Sequence, residues 1–290
     1  MRIVKTINEL ISLVSELKSD KKTIGFVPTM GALHEGHLTL VKQCVEENEV
    51  CMVSIFVNPT QFNNKADLEK YPRNVEKDAE LLKGAGCAYV FAPTPEEMYS
   101  NEELEIKFEF DFGGMDRLME GKFRPGHFNG VVQVVSKLFK LIQPDKAYFG
   151  KKDFQQLAII HRMVHLMHFN VEIVDCPIVR EKSGLAMSSR NERLSATERQ
   201  TAVNISRILN ESRNLTTKMS PGELTQWVTD EVNNIEGLNV EYFDIADCET
   251  LTTIDKWQPE CIGCIAVFCG EVRLIDNIEY HIPTTENIQP

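Results

Sequence analysis

No apolar run in the 290-residue chain approaches the roughly 20 residues that a helix needs to cross a bilayer. The opening segment, MRIVKTINELISLVSELKSD, carries Glu9, Glu16 and Asp20. Neither a secretory apolar region nor an acid-poor transit peptide fits it, so the cytoplasm is the expected compartment and no membrane partner is expected. Basic charge is also short: 31 Lys and Arg stand against 43 Asp and Glu, a net charge of −12. Nucleic-acid affinity rests mostly on clustered Lys and Arg, so no nucleic-acid partner is expected. A small anionic ligand needs only a few local donors and is not excluded. Internal repeats and low-complexity stretches are absent, and the tail PTTENIQP is expected to carry no regular structure.

Cysteine is present, eight in all, but a second C-x-x-C pair to accompany Cys261 and Cys264 is missing. Most of the eight lie in apolar runs such as VCMVSIFV and CAYVF, where a free thiol packs as a small hydrophobe. Buried free thiols are the expected state, with zinc or redox chemistry at Cys261 and Cys264 the alternative.

What the chain does have is alternation. Ile7, Leu10, Ile11, Val14 and Leu17 mark a first helix by 3.6-residue spacing. TIGFV then precedes a helix reaching about Glu47. VCMVSIFV precedes a helix around 75–84. CAYVFAP, a long helix around 127–142, KAYFG, a helix at 153–168 and VEIVDCP follow. Strands recurring with helices between them imply right-handed crossovers and a mainly parallel, doubly wound α/β sheet of Rossmann-like kind. From about Pro177 the texture changes. VREKSGLAMSSRNERLS reads as a functional loop, and the capping boxes Ser195-x-x-Glu198 and Ser220-Pro221-x-Glu223 start two helices. Three strand-like pieces, LNVEYFDIAD, IGCIAVFC and EVRLID, complete a smaller α+β domain. The expected division is 1–177 and 178–290, with a hinge near 176–180.

One handover from strand to helix stands out: GFVPTMGALHEGHLTLV, residues 25–41, places two of only seven histidines, His34 and His37, at a helix start. A helix N-terminus offers unpaired N–H groups and about half a positive charge, a setting that suits phosphate. Gly31, Ala32 and Gly36 are small enough for close approach. Two imidazoles there can donate to oxygens that gain charge during attack at phosphorus. Histidines at helix starts are often exposed and idle; the preceding strand and glycine turn argue against that here.

H-x-G-H resembles the signature of the nucleotidyltransferase superfamily that includes class I aminoacyl-tRNA synthetases. PTMGALHEGH, together with FVNPTQF at 56–62, YPR at 71–73, RPGHF at 124–128, FGKKDFQQL at 149–157 and GLAMSSRN at 184–191, is similar to the pantoate–β-alanine ligase family over nearly the whole chain. The resemblance implies that ATP and pantoate form pantoyl adenylate and pyrophosphate, and that β-alanine then displaces AMP to give pantothenate. It implies Mg²⁺ bound with the phosphates, and a homodimer. On the same ground His37 is the proton donor, and His34 and Lys152 complete the catalytic set. ATP falls to Met30, Gly31, Ala32, Leu33, His34, Glu35, Gly36, His37, Gly150, Lys151, Lys152, Asp153, Val179, Met187, Ser188, Ser189 and Arg190. Within that set Gly150 and Asp153 take the ribose, and Val179 and Met187 flank the adenine. Gln61 and Gln156 hold pantoate, and Gln61 also meets β-alanine.

The chemistry is consistent with these assignments. Joining a carboxylate to a triphosphate brings like charges together, which calls for fixed cations (Lys152, Arg190) and short donors (Ser188, Ser189). Neutral amides hold hydroxyl and carboxylate without adding charge. Acyl adenylates hydrolyse readily, so residues 178–290 are expected to act as a lid that excludes water. Lys151 departs from the family's usual glutamate and Gln133 from its usual threonine. Asp78 is a candidate for positioning the metal, while Arg124 and His127 can serve phosphate or structure, or line the dimer. His161, His165 and His168 have a spacing that can bind zinc, but an exposed stripe is the preferred reading. The competing functions are a nucleotidyltransferase that stops after nucleotidyl transfer and a zinc or thiol module centred on Cys261 and Cys264.

Overall fold

The computed structural model describes residues 1–62, 68–69, 71, 73–105 and 108–282. Pro72 of the YPR segment and the tail at 283–290 lie outside the described residues. The chain forms two compact units: Met1–Phe112 with Arg124–Lys151 and Ile159–Pro177, and Gly113–Phe123 with Lys152–Ala158 and the chain from Ile178 onward. The change at Pro177 to Ile178 is where the sequence texture shifts. The two inserted segments, expected with residues 1–177, group instead with the second unit.

The first unit is built on six strands: β1 (Arg2–Val4), β2 (Ile24–Thr29), β3 (Val50–Ile55), β4 (Tyr89–Phe91), β5 (Lys146–Gly150) and β6 (Glu172–Cys176). Their order is β1-β4-β3-β2-β5-β6, and every neighbouring pair is parallel. The doubly wound α/β sheet expected from the alternation is therefore the one observed. β3 is buried at all six positions, as a strand covered on both faces must be. Helix His127–Ile142 buries Phe128, Val131, Val132, Val135, Leu138, Phe139 and Ile142. β1 has no counterpart in the sequence reading, because three residues are too few to show a period; pairing with β4 defines it. The first helix, Ile7–Ser19, buries Leu10, Leu13, Val14 and Leu17, whereas Ile11 is exposed. Ile11 lies about 100° around the helix from Leu10, outside the buried stripe.

β2 lies between β3 and β5, so the chain winds outward from β2 in two directions. Such a reversal opens a crevice beyond the carboxyl ends of the central strands. The segments at the carboxyl ends of β2, β3 and β5 carry His34 and His37, Gln61, and Gly150 and Lys151.

The second unit contains an antiparallel sheet of β7 (Leu238–Asp247), β8 (Glu260–Cys269) and β9 (Val272–His281) in that order. Helices Ala196–Ser212 and Pro221–Asn233 start at the expected Ser195 and Ser220, each with its reciprocal capping box formed. Their apolar faces, through Ile205, Ile208, Leu209, Leu224 and Val228, join Phe243, Ile265 and Ile278 of the sheet in one core. The two inserted segments belong here for a polar reason. Gln155 Nε2 donates to Met115 O (2.7 Å) and Leu118 O (2.8 Å), and Glu120 N donates to Gln155 Oε1 (2.9 Å). The Glu120 carboxylate accepts from Arg273 of β9 at 2.6 Å and from Tyr242 of β7 at 3.0 Å. No local pattern announces such contacts across more than a hundred residues.

All eight cysteines are free; Cys248 is half-buried and the others are buried. Cys261 and Cys264 are three apart on β8, which puts their side chains on opposite faces of the strand. They cannot close on one metal ion, and the zinc alternative loses its basis. Burial pushes the Cys176 thiol up to about 12 and that of Cys248 up to about 11, and it raises Cys264 also. An unfolded thiol ionises near 8.5. Above that pH the unfolded chain binds fewer protons than the folded one, so stability falls as pH rises. We expect thiol alkylation at pH 8 to be far slower in the native protein than in urea, with Cys248 reacting first, and the urea midpoint to decline from about pH 8.5 upward. Equal alkylation rates in the two states would contradict this burial.

Candidate active site

The turn after β2 is shaped by three groups. Thr29 Oγ1 donates to Ser54 O of β3 (2.6 Å) and accepts from Gly31 N (3.2 Å). Gly31 and Ala32 are both left-handed, with φ of 82° and 52°. Asp78, 2% exposed on helix Val75–Gly84, takes the next two amides: Ala32 N on Oδ2 and Leu33 N on Oδ1, each at 2.9 Å. A Cβ on Gly31 would stand 2.9 Å from Asp78 Oδ2, so glycine is required there for both conformation and space.

The histidines follow. His34 is the N-cap of helix Glu35–Glu47, and its Nδ1 accepts from Gly36 N at 3.1 Å. His37 returns the bond, its Nδ1 accepting from His34 N at 3.3 Å. The rings lie 4.1 Å apart, centroid to centroid. This is a capping box in which two imidazoles take the places of Ser and Glu. Because each Nδ1 is an acceptor, the neutral rings carry their proton on Nε2, and each presents an N–H donor on the side away from the cap.

The amides of Ala32, Leu33, His34 and Gly36 are bonded within the protein. Asp78, expected as a metal-positioning group, has both oxygens on backbone amides and acts as the clamp of the turn. Leu33 is buried in the core with its side chain as well, and Glu35 is exposed and paired with Lys42 Nζ at 2.7 Å.

After β3, residues Pro59–Gln61 form a single 3₁₀ turn. Gln61 is 7% exposed. Its Nε2 points to Met30 Sδ (2.8 Å), its Oε1 accepts from Asn58 Nδ2 (3.3 Å), and its carbonyl accepts from His127 Nδ1 (2.9 Å). Asn58 Nδ2 also donates to Gly130 O (2.9 Å), and Tyr99 OH donates to Asn58 Oδ1 (3.0 Å). Gly130 lets helix His127–Ile142 touch the turn: a Cβ there would lie 2.5 Å from Thr60 C. Gln61, Met30, His34, His37, Gly150 and Lys151 all belong to the first unit. A Cβ on Gly150 would meet nothing within 4 Å, so its backbone faces open space. His127, undecided between phosphate and structure on sequence grounds, holds the Gln61 backbone.

Lys152, Asp153, Gln156, Val179, Met187, Ser188, Ser189 and Arg190 belong to the second unit. Lys152 stands in the 3₁₀ turn Lys151–Asp153, its Nζ 4.0 Å from Asp153 Oδ2. Gln156 is half-buried beside the fully bonded Gln155. Val179 and Met187 face each other across a short bracket: Met187 N donates to Val179 O (3.0 Å) and Glu181 N to Leu185 O (2.8 Å), with Gly184 at φ 98°. Ser188 Oγ caps the 3₁₀ helix Ser189–Arg193 by accepting from Arg190 N (3.2 Å). Arg190 is exposed. Asn191 is buried beneath this loop, its Nδ2 donating to Glu181 Oε1 and Ala186 O, both at 3.0 Å.

Asn58, Asn191 and Gln155 are positional residues absent from the sequence-based assignments. All three lie inside the quoted segments or the loop that contains them, but sequence cannot separate a residue that meets substrate from one that holds its neighbour. His161, His165 and His168 do not form a zinc site: His161 Nε2 meets Asp175 Oδ1 at 2.8 Å and His168 lies beyond the end of its helix. Among the described residues no group of three or more His, Cys, Asp and Glu could hold a metal ion, and no helix is long and apolar enough to cross a membrane.

The family model described as pantoate-beta-alanine ligase matches residues 2–279. A pantothenate synthetase of Porphyromonas gingivalis is 54% identical over 282 residues, covering 97% of this chain and 99% of the relative. One from Bacteroides fragilis is equally similar, with the same coverage. Among solved structures, pantothenate synthetase from Thermus thermophilus superposes with a TM-score of 0.89 at 40% identity, covering 97% of this chain and 100% of that one. The pantoate-beta-alanine ligase from Francisella tularensis, complexed with beta-gamma ATP and beta-alanine, gives 0.80 at 35% identity, covering 96% and 97%.

Proposed function

The chain belongs to the pantoate-beta-alanine ligase family, and from that premise we propose that it joins pantoate to β-alanine in two steps driven by ATP. In the first, a pantoate carboxylate oxygen attacks the α-phosphorus; the bond from that phosphorus to the bridging oxygen breaks, giving pantoyl adenylate and pyrophosphate. In the second, the β-alanine amine attacks the acyl carbon, the bond to AMP breaks and the amine loses its proton, leaving pantothenate.

The observation that carries this reading is the reciprocal imidazole cap at the end of β2, which fixes two Nε2–H donors at the point where the sheet order reverses. Donors held in place before charge develops lower the barrier without reorganisation. His34 donates to the triphosphate and His37 acts as the proton donor. Lys152, Arg190, Ser188 and Ser189 stabilise the phosphates, with Lys151 beside them. Gly150 and Asp153 take the ribose, and Val179 and Met187 flank the adenine. Met30, Gly31, Ala32, Leu33, Glu35 and Gly36 contribute to ATP as the segment that shapes the turn. Gln61 and Gln156 hold pantoate, and Gln61 next meets β-alanine. The Francisella ligase, complexed with an ATP species and β-alanine, supports these substrates. Mg²⁺ would enter with the triphosphate, held by phosphate oxygens and water, and would neutralise part of their charge. Each Asp78 oxygen accepts one backbone amide, which leaves lone pairs through which Asp78 would help position the ion. A homodimer in the cytoplasm, and a lid role for residues 178–290, belong to the same proposal.

Labelled ATP with pantoate alone is expected to yield pyrophosphate and a bound adenylate, with AMP released only when β-alanine is added. AMP release with pantoate alone would refute a water-tight site. A nucleotide transferred to a phosphate acceptor, with no dependence on β-alanine, would favour the nucleotidyltransferase reading instead.

A further inference from the structure

Two of the segments proposed to carry cations toward ATP, the Lys151–Asp153 turn and the Val179–Arg190 bracket, are both anchored on adjacent residues of β9. Asp276, 6% exposed, grips Arg180 with both oxygens: Nη1 to Oδ2 at 2.7 Å and Nη2 to Oδ1 at 2.9 Å. Arg180 Nη1 also donates to Gly184 O (3.2 Å), closing the bracket on itself. The next residue, Asn277, is 4% exposed, and its Nδ2 donates to the carbonyl of Lys152 (3.0 Å). Asn277 N in turn donates to Asp276 Oδ1 (2.8 Å). Both residues sit in the interior of a ladder: Asp276 pairs with Ile265 and Asn277 with Cys264 of β8.

We propose that Asp276 and Asn277 are positioning residues for the ligase reaction, setting the distance between the Lys152 ammonium and the Ser188–Arg190 loop. The inference rests on the roles given above to Lys152 and Arg190. Its physical basis is rigidity. A carbonyl held by a buried amide, and a guanidinium held by two parallel bonds, transmit the position of a laddered strand to chain segments with no ladder of their own. Neither Asp276 nor Asn277 needs to touch a substrate. Displacement of a catalytic group by about 1 Å costs up to roughly 10²-fold in rate. Loss of the Lys152 carbonyl contact frees the turn that aims its side chain, and loss of the two-pronged Arg180 bond frees the bracket that precedes Ser188.

The test is a double-mutant cycle on pyrophosphate release in single turnover, with a thermal melt of each variant. Asn277→Ala is expected to lower the adenylation rate about 10- to 100-fold and to leave β-alanine KM unchanged. In a Lys152→Ala background the same substitution is expected to cost less than about twofold, because the group it positions is gone. An equal loss in both backgrounds would mean a general structural role and would overturn the proposal. So would near-normal adenylation in Asn277→Ala while Lys152→Ala is crippled. Full activity of Lys152→Ala itself would instead refute the role assigned to Lys152. Should Asn277→Ala fail to fold, Arg180→Lys keeps the charge and loses the paired bonds. It is expected to slow adenylation in the same way and to be non-additive with Arg190→Ala; additivity there overturns the proposal.

Discussion

Replacing His34 with asparagine is expected to lower adenylation about 10²- to 10³-fold, the effect of losing one preorganised donor to developing charge, while the protein melts close to wild type. The two consequences separate because His34 does two jobs. Its Nδ1 caps helix Glu35–Glu47 by accepting from Gly36 N, and asparagine is among the best N-cap residues, able to accept the same bond. Its Nε2–H has no counterpart in asparagine. His34→Ala removes the cap as well and is expected to cost a further 0.5–2 kcal/mol or so of stability. The measurements are single-turnover pyrophosphate release and a urea titration of each variant. Wild-type adenylation in His34→Asn would remove the imidazole from the chemistry and leave it only as a cap.

Gly130→Ala is expected to be strongly damaging although it adds a single methyl group. The new Cβ would lie 2.5 Å from Thr60 C and O and 2.6 Å from Gln61 Cα. These are backbone atoms and cannot swing aside, so helix His127–Ile142 or the Pro59–Gln61 turn must move. Overpacking of this kind costs about 1–3 kcal/mol. Gln61, whose carbonyl and side chain are fixed by His127 and Asn58, moves with the turn, so pantoate KM is expected to rise about tenfold or more in proportion to the displacement. Gly150→Ala is the control: its Cβ meets nothing within 4 Å, so stability is expected to hold, and any loss of ATP affinity reports how closely the nucleotide approaches that backbone. Unchanged melting and pantoate KM in Gly130→Ala would contradict the close packing of helix on turn.

Much of this was legible locally. The apolar runs of β2 and β3, the capping boxes at Ser195 and Ser220, and the glycine turn before His34 are signals carried within a few residues, where backbone sterics and helix-end hydrogen bonds act. They were enough for the doubly wound sheet, the helices of the second unit and the handover from strand to helix at which the two histidines stand. The candidate site was visible as a set of segments, because short motifs keep their donors and glycines together along the chain.

What the chain alone could not reveal is which distant group meets which. Asp78 reads as a helix carboxylate until folding sets both of its oxygens on the Ala32 and Leu33 amides. Residues Gly113–Phe123 and Lys152–Ala158 are held to each other by Gln155 and to the second unit's sheet by Glu120 and by the Lys152 carbonyl that Asn277 binds. The three residues of β1 become a strand only beside β4. Cys261 and Cys264 lose their metal spacing once β8 sends them to opposite faces. Patterns of a few residues record local backbone preference, whereas a hydrogen bond between groups tens of residues apart exists only after the sheet has brought them together.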